Sequence, residues 1–165
     1  YGSVRACNMV MNDELDLSLV NMEMYNIDKL DSCVLLRDQL VFCVAPTHPL
    51  AEKDVILPND LDGQNVILFN KDSVQNALLR TRFETYNIKP NIIMQGSQLY
   101  TMINFIRNGT CGCFLYESVT AGLPKYKAIP FDPPIKTDIG IVWKKGRYVT
   151  SQMQNFIKFS QKYWE

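Results

Sequence analysis

The 165-residue sequence has a single histidine, no glycine-rich phosphate-binding motif and no apolar run long enough to cross a membrane. His48 lies in a proline-containing turn with no recognisable nucleophile motif, so a Ser–His–Asp triad is not indicated. The 17 basic and 17 acidic side chains cancel, which leaves no positive excess for holding nucleic acid. No basic-then-apolar leader opens the sequence, so we expect no signal peptide. These absences argue against an enzyme, a DNA-binding chain and a membrane protein.

The sequence has five cysteines, an odd number that favours reduced thiols in a cytoplasmic protein over a disulfide framework. Cys111 and Cys113 lie in the segment "INFIRNGTCGCFLYES", where a helix is expected to turn into a strand. Residues two apart in a strand share one face, so both thiols are expected in the core as small hydrophobic residues. A metal site would need further ligands, and we expect neither a metal nor any other cofactor.

The middle of the chain alternates between short apolar runs and segments with helical periodicity. Three apolar runs are predicted to be strands, at 65–69, 91–95 and 111–116. A helix capped by Asp72 or Ser73 should follow the first run and end near Asn87. Gly96 and Ser97 should open a second helix, whose apolar stripe consists of Leu99, Met102, Ile103 and Ile106. This order is typical of a βαβαβ unit.

The outer parts of the chain supply further strands and a closing helix. Strands are predicted within 12–21, 38–51 and 136–146. The segment 151–164 should be a helix, since Ser151 and Gln154 match a capping box. Its inner face is predicted to carry Met153, Phe156, Ile157 and Ser160.

The simplest packing of these elements is two α/β lobes between which the chain crosses near 43–47 and again near 131–138. Lobe I would contain residues 1–44 and 137–165, and lobe II would contain residues 45–136. A pair of lobes that the chain crosses twice typically forms a cleft.

Five stretches occur in an order and at a spacing that resemble the effector-binding domain of LysR-type transcriptional regulators. They are "NDELDLSLV", "LVFCVAPTHPLA", "DLDG" before "NVILF", "NGTCGCFLYES" and "IPFDPPIKTDIGIVWKK". The resemblance covers essentially the whole chain. It implies an α/β fold of two Rossmann-like lobes of the type 2 periplasmic-binding-protein kind, joined by two crossover strands.

The resemblance also implies parts that this sequence does not contain. Family members carry an N-terminal helix-turn-helix domain for DNA, and their effector domain begins with a further strand and helix. Lobe I would then be N-terminally incomplete, DNA would be bound only through the absent domain, and the protein would form a homodimer or homotetramer.

A ligand should bind where the strands of such a sheet end and the following helices begin, since helix N-termini present backbone N–H groups there. The candidate effector-binding residues at these corners are Ser3, Asn21, Asn70, Ser73, Ser97 and Gln98. The resemblance places effector contacts at the same corners. Hydroxyl and amide groups beside helix N-termini suit a small anion, most simply a carboxylate. Either serine in the middle part could instead be only a helix cap.

Other charged residues favour ordinary surface roles. Asp13 and Glu14 are expected to be solvated, Asp16 to bond locally, and Lys144, Lys145 and Arg147 to form a solvated turn. Three classes of function remain. The first is the ligand-sensing domain of a transcription factor, the second a solute-binding protein of a transport system, and the third an enzyme on the same fold, for which no catalytic residues are found.

Overall fold

The computed structural model describes residues 2–23, 27–123 and 125–164. The strands are β1 (Leu17–Asn21), β2 (Leu30–Val44), β3 (Asn65–Phe69), β4 (Asn91–Gly96), β5 (Gly112–Tyr116) and β6 (Lys127–Lys144). The α-helices are α1 (Ser3–Met11), α2 (Val74–Thr85), α3 (Leu99–Ile106), α4 (Glu117–Thr120) and α5 (Ser151–Trp164). Short 3-10 helices lie at Ile27–Lys29, Pro49–Glu52 and Pro58–Leu61. The α/β fold predicted from the sequence is confirmed.

Most predicted elements are present, and two differ in extent. β3 occupies the predicted range 65–69, and Ser73 caps α2 as expected. By contrast β2 begins at Leu30 and β6 at Lys127, well before their predicted starts at 38 and 136, and α4 was not predicted.

The chain divides into two compact units. Unit 1 consists of Tyr1–Arg37 and Thr137–Glu165, and unit 2 of Asp38–Lys136. The sequence predicted lobe boundaries after residues 44 and 136, and the two units divide after Arg37 and Lys136. Both boundaries fall inside long strands, β2 and β6, so the chain leaves unit 1 and returns to it in extended conformation.

Unit 2 is a sheet with a helix on each face. Its strands lie in the order β2, β5, β3, β4, with β3 parallel to both of its neighbours and β2 antiparallel to β5. Successive side chains of a strand point to opposite faces. Leu68 therefore packs in one core cluster with Leu79 of α2, and Ile67 in the other with Met102 of α3.

Cys111 and Cys113 belong to the core between the sheet and α3, together with Cys43. Cys43 lies directly opposite Cys113 in the β2–β5 pair, and the three side chains are at most 1% exposed. The predicted burial of Cys111 and Cys113 is confirmed, and all five cysteines are free thiols. Gly112 stands between two of them because a Cβ there would lie 2.2 Å from the Phe42 ring.

Unit 1 contains β1, the last part of β6 and the first part of β2. β1 pairs antiparallel with β6, and α1 packs Ala6, Cys7 and Val10 against this sheet. Gly140 of β6 lies so close to β2 that a Cβ would be 2.4 Å from the carbonyl oxygen of Cys33.

The start of α5 is capped by a residue other than the predicted one. The Oγ1 of Thr150 accepts a hydrogen bond from the backbone N–H of Met153 at 3.2 Å, so Thr150 takes the capping role expected for Ser151. Met153 and Ser160 are buried as predicted. Phe156 is 49% exposed, so its predicted place on the inner face is wrong.

Charged residues that the sequence suggested were solvated form an ion-pair cluster in unit 1. Lys144 and Arg147 both pair with Asp13, and Arg147 also pairs with Asp16. The hydrogen bond from Lys144 holds the pKa of the Asp13 carboxyl below its usual value. Asp13 is exposed as predicted, whereas Asp16 bonds to a distant residue instead of locally. The pairs were not predicted because the partners lie 131 residues apart, beyond any local pattern.

Candidate functional site at the ends of β3 and β4

Two of the predicted corners lie side by side in unit 2. β3 and β4 are parallel, and their last residues, Phe69 and Gly96, are direct partners in the pairing. The backbone N–H of Asn70, just beyond β3, donates to the carbonyl oxygen of Gly96 at 3.0 Å. Asn70 and Ser97 therefore follow two paired residues, and the structure brings these two candidates to the same edge of the sheet.

The first corner is a tight turn that ends in the cap of α2. The backbone N–H of Ser73 donates to the carbonyl oxygen of Asn70 at 3.0 Å, and the Ser73 Oγ accepts from the backbone N–H of Asn76 at 3.1 Å. The Ser73 hydroxyl accepts this bond and still has its own proton to donate. The residue can thus cap the helix and contact a ligand at the same time.

The second corner begins α3 without a side-chain cap. Gln98 occupies the N-cap position and makes no capping hydrogen bond, whereas Ser97 lies one residue earlier. The alternative that Ser97 serves only as the cap of this helix is therefore wrong. Both side chains are exposed. The backbone N–H groups at the start of α3 thus remain for solvent or for a ligand, because an α-helix leaves its first N–H groups without intrahelical partners.

Two buried amides, which sequence reasoning did not assign to the site, fasten α2 to the sheet. The Nε2 of Gln75 donates to the carbonyl oxygen of Phe114 at 2.6 Å, and the Nδ2 of Asn76 donates to that of Phe69 at 2.5 Å. The helix start is therefore joined to the middle of β5 and to the end of β3. The available signal was two adjacent amide residues in the first turn of a predicted helix.

A third corner follows β5, and it also escaped the sequence prediction. The Ser118 hydroxyl donates to the Asp38 carboxylate at 2.6 Å, and the same carboxylate accepts from the backbone N–H of Gln39 at 2.8 Å. The proton of the Ser118 hydroxyl is therefore already used within unit 2. This distinguishes Ser118 from Ser73, whose described bond leaves the proton available.

In unit 1 the structure brings Ser3 and Asn21 together. Asn21 ends β1 and Ser3 begins α1. The backbone N–H of Asn21 donates a hydrogen bond of 3.0 Å to the Ser3 Oγ. The Oδ1 of Asn21 accepts from the backbone N–H of Glu23 at 2.9 Å, and Asn21 is buried. Tyr1, two residues before Ser3 in the sequence, lies outside the described residues.

His48 has a structural role in unit 2. Its Nδ1 accepts a hydrogen bond from the backbone N–H of Leu50 at 3.1 Å and caps the 3-10 helix Pro49–Glu52. Burial lowers the pKa of this imidazole below its usual value, so the neutral form is favoured. The residue is a helix cap in a buried turn and lies in a different element from the serine corners.

Within the residues that the structure describes, His, Cys, Asp and Glu side chains form no group of three or more that could hold a metal ion. In the same part of the chain, none of the helices has the length and apolar character needed to span a membrane.

The fold and the corners at its strand ends define a two-unit α/β ligand-binding domain, and comparison with protein families agrees. The family model described as "LysR substrate binding domain" matches residues 2–165. The chain therefore belongs to the LysR substrate-binding domain family, and the predicted membership is confirmed.

Curated relatives are longer than this chain. The chain is 27% identical over 169 residues to the uncharacterized HTH-type transcriptional regulator YwbI of Bacillus subtilis, covering 99% of the chain and 56% of that protein. It is 29% identical over 126 residues to YybE of the same organism, another uncharacterized HTH-type transcriptional regulator, covering 76% of the chain and 43% of that protein. The chain thus spans about half the length of the curated relatives it matches.

Solved structures share the fold at low sequence identity. The regulatory domain of Synechocystis PCC6803 CcmR, in complex with 2-PG, aligns with a TM-score of 0.89 at 18% identity and covers 99% of this chain and 80% of that one. The effector-binding domain of QuiR, in complex with shikimate, aligns with a TM-score of 0.83 at 21% identity. This alignment covers 99% of this chain and 78% of that one. These neighbours establish the architecture.

Proposed function

We propose that this chain is the effector-sensing domain of a LysR-type transcriptional regulator and that the longer protein controls DNA-dependent transcription. The observation that carries the proposal is the pair of adjacent corners at the ends of β3 and β4, where Asn70, Ser73, Ser97 and Gln98 surround two helix starts. The matched family and the helix-turn-helix relatives favour a regulator over a transport protein and over an enzyme.

The proposed effector is a small carboxylate or another small anion. The start of α3 lacks a side-chain cap, and the Ser73 hydroxyl has a proton to donate, so both corners offer donors to a negative group. Lys71 lies in the Asn70–Ser73 turn and is exposed. The complexes of CcmR with 2-PG and of QuiR with shikimate support a small-molecule effector. In unit 1 we propose Ser3 and Asn21 as further effector contacts.

Binding is tested on the natural full-length protein by a calorimetric screen of small carboxylates that includes shikimate and 2-PG. The variants Ser73→Ala and Ser97→Ala should each lower the affinity for the acid that the screen identifies by about ten- to a hundredfold. A hydrogen bond to a charged group contributes roughly 1.5–3 kcal/mol. Ser151→Ala, which removes an exposed serine at the start of α5, is the matched control and should leave affinity unchanged. Unchanged affinity in both site variants would show that the acid does not use these helix starts.

Regulation of transcription requires DNA, and we propose that DNA is bound by a separate N-terminal domain of a homodimer or homotetramer in the cytoplasm. The chain itself has no net charge, so it lacks the electrostatic basis of phosphate binding. In gel retardation at low salt, the full-length protein should shift duplex DNA and the isolated chain should not. A salt-sensitive shift by the isolated chain would argue against DNA binding through a separate domain.

A further inference from the structure

The first turn of α2 depends on one fully buried side chain. Asn76 is 0% exposed, and its backbone N–H, its Nδ2 and its Oδ1 all make hydrogen bonds. The first bond is to the Ser73 Oγ and the second to the carbonyl oxygen of Phe69, the last residue of β3. Asn76 therefore connects the cap of the helix with the end of the strand that precedes the Asn70–Ser73 turn.

The third hydrogen bond of Asn76 comes from another residue of α2. The Nε of Arg80, one turn further along α2, donates to the Asn76 Oδ1 at 2.7 Å. A carboxamide has a donor end and an acceptor end, whereas a guanidinium can only donate. Arg80 thus keeps the Oδ1 turned towards itself, which leaves the Nδ2 facing the Phe69 carbonyl oxygen. In the reversed orientation, two oxygens would face each other at the end of β3.

We propose that Arg80 is a positioning residue of the effector site, acting through the Asn76 amide on the Asn70–Ser73 turn. This inference rests on the proposed function, because it assigns Arg80 to the same corner. Arg80 need not touch the effector. It fixes the direction of the bond that holds the cap of α2 against β3, and so it keeps Ser73 and Asn70 in the arrangement that faces the start of α3.

A second hydrogen bond between α2 and the sheet should limit the effect of losing Arg80 to the first turn of the helix. Gln75 is buried and joins α2 to the Phe114 carbonyl oxygen without involving Arg80 or Asn76, and Leu79 and Phe83 pack into the core. Removal of the Arg80 guanidinium should therefore leave the helix docked and loosen only its first turn together with the preceding one. Arg80 itself is half-buried, so a neutral polar replacement is tolerated by its surroundings.

The test compares Arg80→Gln with Arg82→Gln in the natural full-length protein without any added ligand. Arg82 lies on the same helix, where its Nη2 donates to the Pro134 carbonyl oxygen at 3.2 Å and its guanidinium lies over the Tyr86 ring. Both variants remove one positive charge from α2, and only the first removes the bond to Asn76. The readout is amide hydrogen exchange resolved to residues 70–77, with the free energy of unfolding measured in parallel.

Arg80→Gln should accelerate exchange at residues 70–77 by about tenfold, the scale of one lost charge-assisted hydrogen bond. Exchange in the core strands should be unchanged, and Arg82→Gln should match the wild type in the 70–77 segment. Arg80→Lys, which restores a cationic donor, should recover part of the protection. Equal exchange in both Gln variants, or acceleration spread over all of unit 2, would overturn the positioning role.

Binding of shikimate and of 2-PG to the same variants separates this inference from the proposed function. If Ser73→Ala weakens binding and Arg80→Gln leaves both binding and local exchange unchanged, the site stands and the role of Arg80 is rejected. If the wild type binds neither compound nor any acid of the screen, the proposed effector chemistry fails. The exchange data then still decide whether Arg80 holds the turn.

Discussion

The Ser73 Oγ accepts a hydrogen bond from the backbone N–H of Asn76, whereas Ser97, at the matching corner of the next strand, caps nothing. Two serines that look alike in the sequence therefore differ in what they do for the fold. Ser73 stabilises α2, whereas Ser97 can contact a ligand without weakening a cap of α3.

The first prediction uses this difference. Ser73→Ala should lower the free energy of unfolding by about 1 kcal/mol through the lost cap, while Ser97→Ala should change it by less than about 0.5 kcal/mol. Urea denaturation of both variants measures the difference. Equal destabilisation by the two substitutions would contradict the assignment of Gln98 as the N-cap of α3.

A second prediction concerns the start of α5. Thr150→Ala should cost about 1 kcal/mol, because the Thr150 Oγ1 accepts from the backbone N–H of Met153. Ser151→Ala, one residue later, is the matched control and should be nearly neutral in the same denaturation experiment. If Ser151→Ala were the more costly change, the capping box predicted from the sequence would be right after all.

The third prediction is a pH dependence that arises from His48. Burial lowers the pKa of His48 in the folded protein, so the unfolded chain binds the proton more readily. The stabilisation by the neutral imidazole is complete above the unfolded pKa of about 6.5, and it is lost as the pH falls from there through the lower folded pKa. The wild type should therefore lose more stability than His48→Asn between about pH 7.5 and pH 5, because the amide oxygen retains an acceptor for the Leu50 N–H without titrating. Urea denaturation at both pH values checks this. Identical losses of unfolding free energy in the two proteins would show that His48 does not cause the pH dependence.

The fourth prediction concerns thiol reactivity. Cys33 is the half-buried cysteine, and Cys7, Cys43, Cys111 and Cys113 are buried. Burial raises the pKa of Cys43 to about 11 and also raises that of Cys113, so both stay protonated at neutral pH and lack the reactive thiolate. A thiol reagent should modify Cys33 rapidly in the native protein and all five cysteines after denaturation without reductant. Fewer than five in denaturant would reveal a disulfide or other modification.

The sequence predicted well those parts of the fold whose pattern is local. β3 is a continuous apolar run because α2 and α3 cover both of its faces, and the Leu99–Ile106 stripe follows from the helical period. The early part of β6 was missed because Pro130, Pro133 and Pro134 interrupt the pattern of a strand.

The candidate site was only partly predictable for a related reason. Strand ends and serines can be read from the sequence, so the corners at Asn70 and Ser97 were found. The buried amides of Gln75 and Asn76 were not, because a polar residue in an amphipathic helix is ordinarily assigned to its exposed face. Their carbonyl partners, and the Asp38 partner of Ser118, become apparent only when the strands are placed beside one another.

The division of the chain into units also sets an order for folding during synthesis. Unit 2 is a continuous segment, Asp38–Lys136, so all of its strands and helices are available before the last part of the chain has been made. Unit 1 combines two separate segments, and β1 cannot pair with β6 until residues 139–143 leave the ribosome. The edge of β1 that pairs with β6 therefore stays uncovered until unit 2 has been completed. Slow translation beyond residue 136 would lengthen the time during which this edge is open to aggregation.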